Sequence, residues 1–213
     1  LCDGGARVIQ IESIEGSPGR WCGPFVDDKP HPDRCIDYWW CNTGKESLAL
    51  DIARPAASSL VKKLLARADV FLDSASPGKL AELGLDYSSL ASNHGLIHAS
   101  LTDFGQDGPW CDYVMNDAAH LALGGQMASS GYSDPKAPPI GGQGHHAWHM
   151  GCAFVLHGIT VALFDRASSG AGQFIDVSIH DACAMGTEAA VPQWMYYGST
   201  MHRQTGMHAN PRR

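Results

Sequence analysis

The segment GGQGHHAWHMG, residues 141–151, holds three histidines and a tryptophan within the five positions 145–149. On a helix His145 and His149 lie four apart and His146 and His149 three apart, spacings at which two imidazoles share a face and can chelate a metal ion. A catalytic zinc also needs a third ligand and a carboxylate base. Position 146 is histidine where H-E-x-x-H has glutamate, and Cys152 is the nearest further donor. The pattern therefore predicts no metal site and a polar helix start beside a pocket. One imidazole, His149 or His146, keeps the capacity for proton transfer near neutral pH.

A second group of chemically capable residues is acidic. Asp103, Asp107, Asp112 and Asp117 gather around the loop FGQDGP at 104–109. A carboxylate there can act as base or nucleophile. The alternatives are an ordinary acidic surface loop and, for Asp117, a cap on the helix predicted at 116–130. No G-x-S-x-G elbow, Walker loop or G-x-G-x-x-G follows a predicted strand, so hydrolase and nucleotide-binding readings lack their usual anchors. The glycines of GGQG at 141–144 read as a turn into the next helix.

These residues must be held by a scaffold, and strands and helices alternate along the chain as in a parallel α/β sheet. RVIQIE (7–12) and SLALDI (47–52) read as buried strands. Pro55 opens an amphipathic helix over 55–67, and ADVFLDS (68–74) follows as a strand, which together predict a right-handed βαβ unit. GLIHASLT (95–102) is a further buried strand whose carboxyl end runs into the acidic loop, the edge at which open α/β sheets bind ligands. A helix over 116–130 is weakened by Gly124–Gly125. The helix from His146 to Arg166, apolar almost all round, is predicted to be buried. QFIDVSI (173–179) is the last strand, and helix resumes at His180.

Composition limits the functions available. The 213 residues are 44% hydrophobic, enough for a sizeable core. Lysine and arginine total 15 against 22 aspartates and glutamates, without basic clusters, which excludes nucleic acid as a natural partner. Seven scattered cysteines form no C-x-x-C pair and are expected to be reduced, mostly buried and cytoplasmic. No run of eighteen apolar residues and no leader pattern is present, so no membrane association is expected. The start without methionine at LCDGG and the end at NPRR read as those of a piece of a longer polypeptide.

In order, VIQIE, NTGKESLALDI, ARADVFLDSASPGKLAELGLDYSSL, LIHASLTDFGQDGPW, GGQMASSG and DRASSGAGQFIDVSIHDA resemble the class III coenzyme A transferases. That family includes formyl-CoA and carnitine CoA transferases and α-methylacyl-CoA racemase. YYGSTMHRQTGMHANP (196–211) resembles the loop that follows in the family. The resemblance implies a Rossmann-like open, mainly parallel sheet as the large domain over 1–190, here without its first strand and helix. It implies that 191–213 begins the connection to a small domain, and that complete chains interlock as dimers.

The chemistry implied is transfer of CoA between an acyl-CoA and a carboxylic acid, with coenzyme A as substrate and no resident cofactor. In the family an aspartate attacks the thioester, and covalent intermediates divide the exchange into easier steps. That aspartate precedes the long helix in a D-x-x-x-G pattern. Counting from Gly158 and from Pro138–Pro139 places Trp148 there, and a shift of one residue places Ala147 or His149; none is a carboxylate. Asn116 stands where the racemases have a histidine. At the position of the family's E-N-F-x-P-G, whose residues help hold CoA, this chain has D-S-A-S-P-G, with Ser74 and Ala75 as the altered contacts; Leu50 persists. The resemblance thus implies a subunit or half without the usual nucleophile, paired as a homodimer or with a catalytic half that has it. The alternatives are an active transferase using His149 or Asp117, and a non-catalytic acyl-CoA-binding protein.

Overall fold

A computed structural model of the chain describes residues 1–134 and 136–203. The chain divides into two compact units, Leu1–Leu64 and Leu65–Arg213. The segment 191–213, expected to begin a connection, is described only as far as 203; the rest of that expectation lies outside the described residues.

The first unit contains β1 (Ile9–Glu12), α1 (Ile36–Asn42), β2 (Glu46–Ala49) and most of α2 (Pro55–Leu65). β1 and β2 pair in parallel, with Ile9 opposite Glu46 and Glu12 opposite Ala49. Both were expected to be buried, yet the one buried residue of the pair is a charged one, Glu12. The reason is that the sheet has only two strands among the described residues, so neither strand is flanked on both edges. Glu12 tolerates burial because every lone pair is engaged. Arg20 donates from Nε to Oε2 at 2.7 Å and from Nη2 to Oε1 at 2.8 Å, Ser47 Oγ donates to Oε1 at 2.7 Å, and the Ser17 amide donates to Oε2 at 2.9 Å. The Arg20 bonds, more than any other contact, hold the Glu12 carboxyl far below the usual carboxylate range.

The second unit contains β3 (Val70–Asp73), α3 (Lys79–Glu82), β4 (Ile97–Thr102), α4 (Asp117–Leu123), α5 (Gln126–Ser129), α6 (His146–Ser169), β5 (Phe174–Ser178), α7 (Ile179–Met185) and α8 (Ala190–Tyr197). Its sheet runs β3-β4-β5, parallel throughout. The two strands of the predicted βαβ unit, β2 and β3, therefore belong to different sheets, so the pairing expected across α2 does not form. β4, flanked on both sides, is buried at all six positions, as expected of this strand.

α6 lies against β4, β5 and α7. Its buried residues are Ala147, Gly151, Val155, Ile159 and Ala162, a single stripe at helical spacing. A Cβ on Gly151 would come within 3.0 Å of Ile179 and Leu101, and one on Gly158 within 3.0 Å of Ile175, so these glycines let the helix sit close to the sheet. The expectation that α6 is buried all round is corrected: Val161 and Phe164 on its outer side are 67% and 84% exposed, because only one face meets the sheet. By length and composition, α6 is long and apolar enough to cross a bilayer, though here its stripe packs on the sheet. The helix predicted over 116–130 breaks at Gly124–Gly125 into α4 and α5. Gly125 is in the left-handed region at φ 88°, and a Cβ on Gly124 would meet Cys183 at 2.9 Å. The cysteines are also more open than expected, since only Cys35 and Cys183 are buried; all seven are free thiols.

Candidate active site

The carboxyl ends of β3, β4 and β5 and the start of α6 all belong to the second unit, and the site is built from them upward. β4 alternates chemically even though it is buried throughout. Ile97, Ala99 and Leu101 join the apolar core with α6, while His98, Ser100 and Thr102 occupy the other face. Strand register aligns Asp73, Ser100 and Asp176 in one row.

This row is tied together by hydrogen bonds. Gln106 Nε2 donates to Ser100 Oγ at 2.8 Å, Ser100 Oγ donates to Asp73 Oδ1 at 3.4 Å, and His98 Nε2 lies 2.8 Å from Asp73 Oδ2. A His98 tautomer protonated at Nε2 donates to the carboxylate and leaves the buried, unpartnered Nδ1 as an acceptor. The Gln106 amide donates to Asp176 Oδ2 at 2.8 Å. Asp176 is exposed as a residue, but its carboxyl lies under this turn. Desolvation first, then repulsion from Asp107, Asp73 and Asp181, raises its pKa above the ordinary value, against the lowering effect of the Gln106 bond.

A middle group continues toward the helices. Asp103 Oδ1 lies 3.0 Å from Nε2 of the fully buried His120, and Asp103 Oδ2 accepts from the Met115 amide at 2.9 Å. The Phe104 ring sits 5.6 Å from His120 and 5.4 Å from His180, with Trp110 5.7 Å away on another side. Buried Nδ1 atoms of both histidines have no partner among the described residues.

The start of α6 is less enclosed. His145 occupies the cap position at φ 60°, a left-handed conformation uncommon for a side-chain-bearing residue, and offers no side-chain cap. Capping comes from elsewhere: Asp117 Oδ1 accepts from the Ala147 amide at 2.8 Å. One reading of Asp117 was a cap on its own helix, but Asn116 holds that place, accepting from the Ala119 amide at 2.9 Å, and Asp117 serves α6. Burial first, and then the Asp117 charge, raises the pKa of the nearby Cys183 thiol above the ordinary cysteine value.

The residues singled out in the sequence fall as follows. Trp148 is 38% exposed, and His149 is exposed, its amide donating to the His145 carbonyl at 3.0 Å. His146 lines a cavity of about 100 Å³ with Gly142, Ile140, Ser130 and Met127. A neighbouring cavity of about 610 Å³ shares Met127 and is lined also by Ala122, Pro139, His202 and Arg203, a volume within the range of small-ligand pockets. Gly151 is the glycine at the start of α6 pressed on the sheet, and four residues before it stands the buried Ala147; neither Ala147 nor Trp148 brings a carboxylate. Ser74 is exposed, and Ala75 is half-buried and held at both ends of its peptide, by Asp73 and by Gln106. Leu50 belongs to the other unit, where its amide donates to the Glu12 carbonyl at 2.8 Å. No three His, Cys, Asp or Glu side chains converge in a metal-binding geometry among the described residues.

The family model for CoA-transferase family III matches residues 1–212. The chain belongs to that family. It is 34% identical over 191 residues to the succinyl-CoA:(R)-benzylsuccinate CoA-transferase subunit BbsE of Thauera aromatica, covering 89% of this chain and 46% of that protein. It is 32% identical to the acetyl-CoA:oxalate CoA-transferase of Acetobacter aceti, covering 98% of this chain and 52% of the relative. A CAIB/BAIF family protein from Brucella suis superposes with a TM-score of 0.89 at 33% identity, over 98% of this chain and 55% of that one. The chain thus spans about half the length of the family relatives it matches.

Sequence reasoning missed the row Asp73, His98, Ser100, Gln106 and Asp176. The signal was available in IHASLT, where polar residues alternate at 98, 100 and 102 in a segment otherwise read as a wholly buried strand.

Proposed function

We propose that this chain is part of the large domain of a CoA transferase acting on acyl-CoA thioesters and carboxylic acids, and that it works beside a chain or half that supplies the aspartate nucleophile. Family membership supports the substrate class. The observation that carries the division of labour is the start of α6: in each register of the family's D-x-x-x-G pattern, position 147, 148 or 149 holds alanine, tryptophan or histidine. The relative BbsE is named as a subunit, which agrees with a paired arrangement. Coenzyme A enters as a substrate, no metal or resident cofactor takes part, and the reaction runs in the cytoplasm, where the seven thiols stay reduced. Residues 1–190 act as the large domain, and the stretch from 191 leads to a smaller one.

The test is to purify the full-length protein alone and assay transfer from a panel of acyl-CoA donors to carboxylate acceptors. Transfer is expected only after a family chain with its aspartate intact is added. Robust transfer by the isolated protein overturns the partner arrangement.

A second reading has its own observation, since the Asp117 carboxylate is placed against the amide of Ala147 at the start of α6. If Asp117 were the nucleophile, Asp117→Asn, which keeps the capping oxygen, would lower the rate by about 10³-fold or more. As a cap only, it leaves transfer unchanged.

A further inference from the structure

Gln106 stands in the sequence only as one residue of a turn-rich loop, and the function above assigns it no task. Its side-chain amide donates twice, to Ser100 Oγ at 2.8 Å and to the Ala75 carbonyl at 3.3 Å. Its backbone amide donates to Asp176 at 2.8 Å. The Ala75 amide, in turn, donates to Asp73 Oδ1 at 2.9 Å. One residue therefore bridges the ends of all three strands of the sheet and grips the loop after β3 from outside, while Asp73 grips it from within.

The local chain is built for this. Gly105 takes φ 87°, and a Cβ there would stand 3.2 Å from Asp176 Oδ2, so only glycine lets the turn press its next amide onto that carboxylate. Ser100 is 1% exposed and has one proton, already directed at Asp73. The Ala75 carbonyl can only accept, so the nitrogen of the Gln106 amide is the atom turned toward it, and the same nitrogen donates to Ser100 Oγ. The direction of donation is fixed from Gln106 through Ser100 to Asp73, which makes the amide group itself necessary and not only its size.

We propose that Gln106 is a positioning residue that latches the 73–78 loop to the sheet edge, in the conformation in which that loop receives coenzyme A. That this loop receives coenzyme A rests on the functional reading above together with the resemblance of D-S-A-S-P-G to the family's E-N-F-x-P-G; the latch rests on geometry alone. In this chain the loop carries Ser74 and Ala75, side chains too small to grip a ligand firmly, so the fixed backbone of the loop provides the recognition surface. Loss of the latch raises the cost of ordering the loop each time a ligand binds.

Two variants of the full-length protein separate this from simple space filling. Gln106→Ala removes the donor, while Gln106→Glu keeps the shape but faces Ser100 Oγ and the Ala75 carbonyl with acceptors, close to Asp73 and Asp176. Hydrogen exchange at the Ala75 amide is expected to quicken by about 2- to 10-fold in Gln106→Ala, the equivalent of one net hydrogen bond, and by more in Gln106→Glu. Exchange at Ile159 in the core of α6 should stay unchanged in both. Calorimetric titration with coenzyme A should show affinity falling by a similar factor. Unchanged exchange at Ala75 in Gln106→Ala, or a Gln106→Glu protein equal to the wild type, overturns the latch. If Gln106→Ala does not fold, Gln106→Asn, with the amide one methylene short, is read by the same criteria. A latch that responds in a wild-type protein that binds no coenzyme A overturns the coenzyme reading and leaves the latch in place.

Discussion

The edge of the β3-β4-β5 sheet and the start of α6 adjoin in chain topology and are built on opposite principles. At the sheet edge, Asp73, His98 and Ser100 are buried or nearly so, and polar groups are matched donor to acceptor across three strands. At the helix start, Trp148 and His149 are open and His145 is in a left-handed conformation; the one built feature there is the Asp117 cap. The first arrangement costs much to disturb, because an orphaned buried polar group loses water as well as its partner. The second tolerates change. The comparison shows that the group of residues most conspicuous in sequence is not the one the fold invests in.

The largest effect is expected where that investment is greatest. His98→Ala leaves a cavity and deprives the Asp73 carboxylate of its nearest donor, and is expected to lower stability by about 3 kcal/mol or more, measured as a shift in the urea midpoint at constant slope. A loss below about 1 kcal/mol would break the contrast. Breaking the Glu12–Arg20 pair by Arg20→Ala is expected to cost about 3 kcal/mol, because a buried carboxylate is left without its cation.

The same pair sets a pH dependence. The folded-state pKa of Glu12 is depressed, so its stabilisation is fully present above the unfolded value of 4.5 and is lost as pH falls below it. Thermal melts of wild type between pH 7 and pH 3 should show a decline that Arg20→Ala lacks. A smaller effect is expected at the helix start. Asp117→Ala should cost about 1 kcal/mol through loss of the α6 cap, and Asp117→Asn close to nothing. The smallest belongs to His149→Ala, with stability within about 0.5 kcal/mol of wild type and transfer in the paired protein changed less than about twofold. A drop of about 10²-fold would instead make His149 a proton-transfer group and reverse the comparison.

Much of the fold could be read from pattern. The strand pattern at 95–102, Pro55 opening α2, and Gly170 closing α6 in the left-handed region at φ 70° are local signals whose meaning does not depend on distant partners. Burial was less legible, because it depends on what lies opposite. RVIQIE and SLALDI read as buried strands but form a two-stranded sheet, and the apolar circumference of α6 gave no indication of which face would meet β4. The site was legible as residue types and not as partnerships. Asp117 looked like the cap of its own helix, and only the tertiary placement of Ala147 beside it turned it into the cap of another.

The sequence by itself determined the family, the order of strands and helices, and the lack of a carboxylate at 147–149, since each follows from residue identity and spacing along the chain. The tertiary structure alone decided that Gln106, Ser100, Asp73 and Asp176 form one hydrogen-bonded row, and that Asp117 serves α6. Hydrogen bonds need atoms within about 3 Å in a set direction. Residues from 73 to 176 meet that condition only once strand register has brought them side by side.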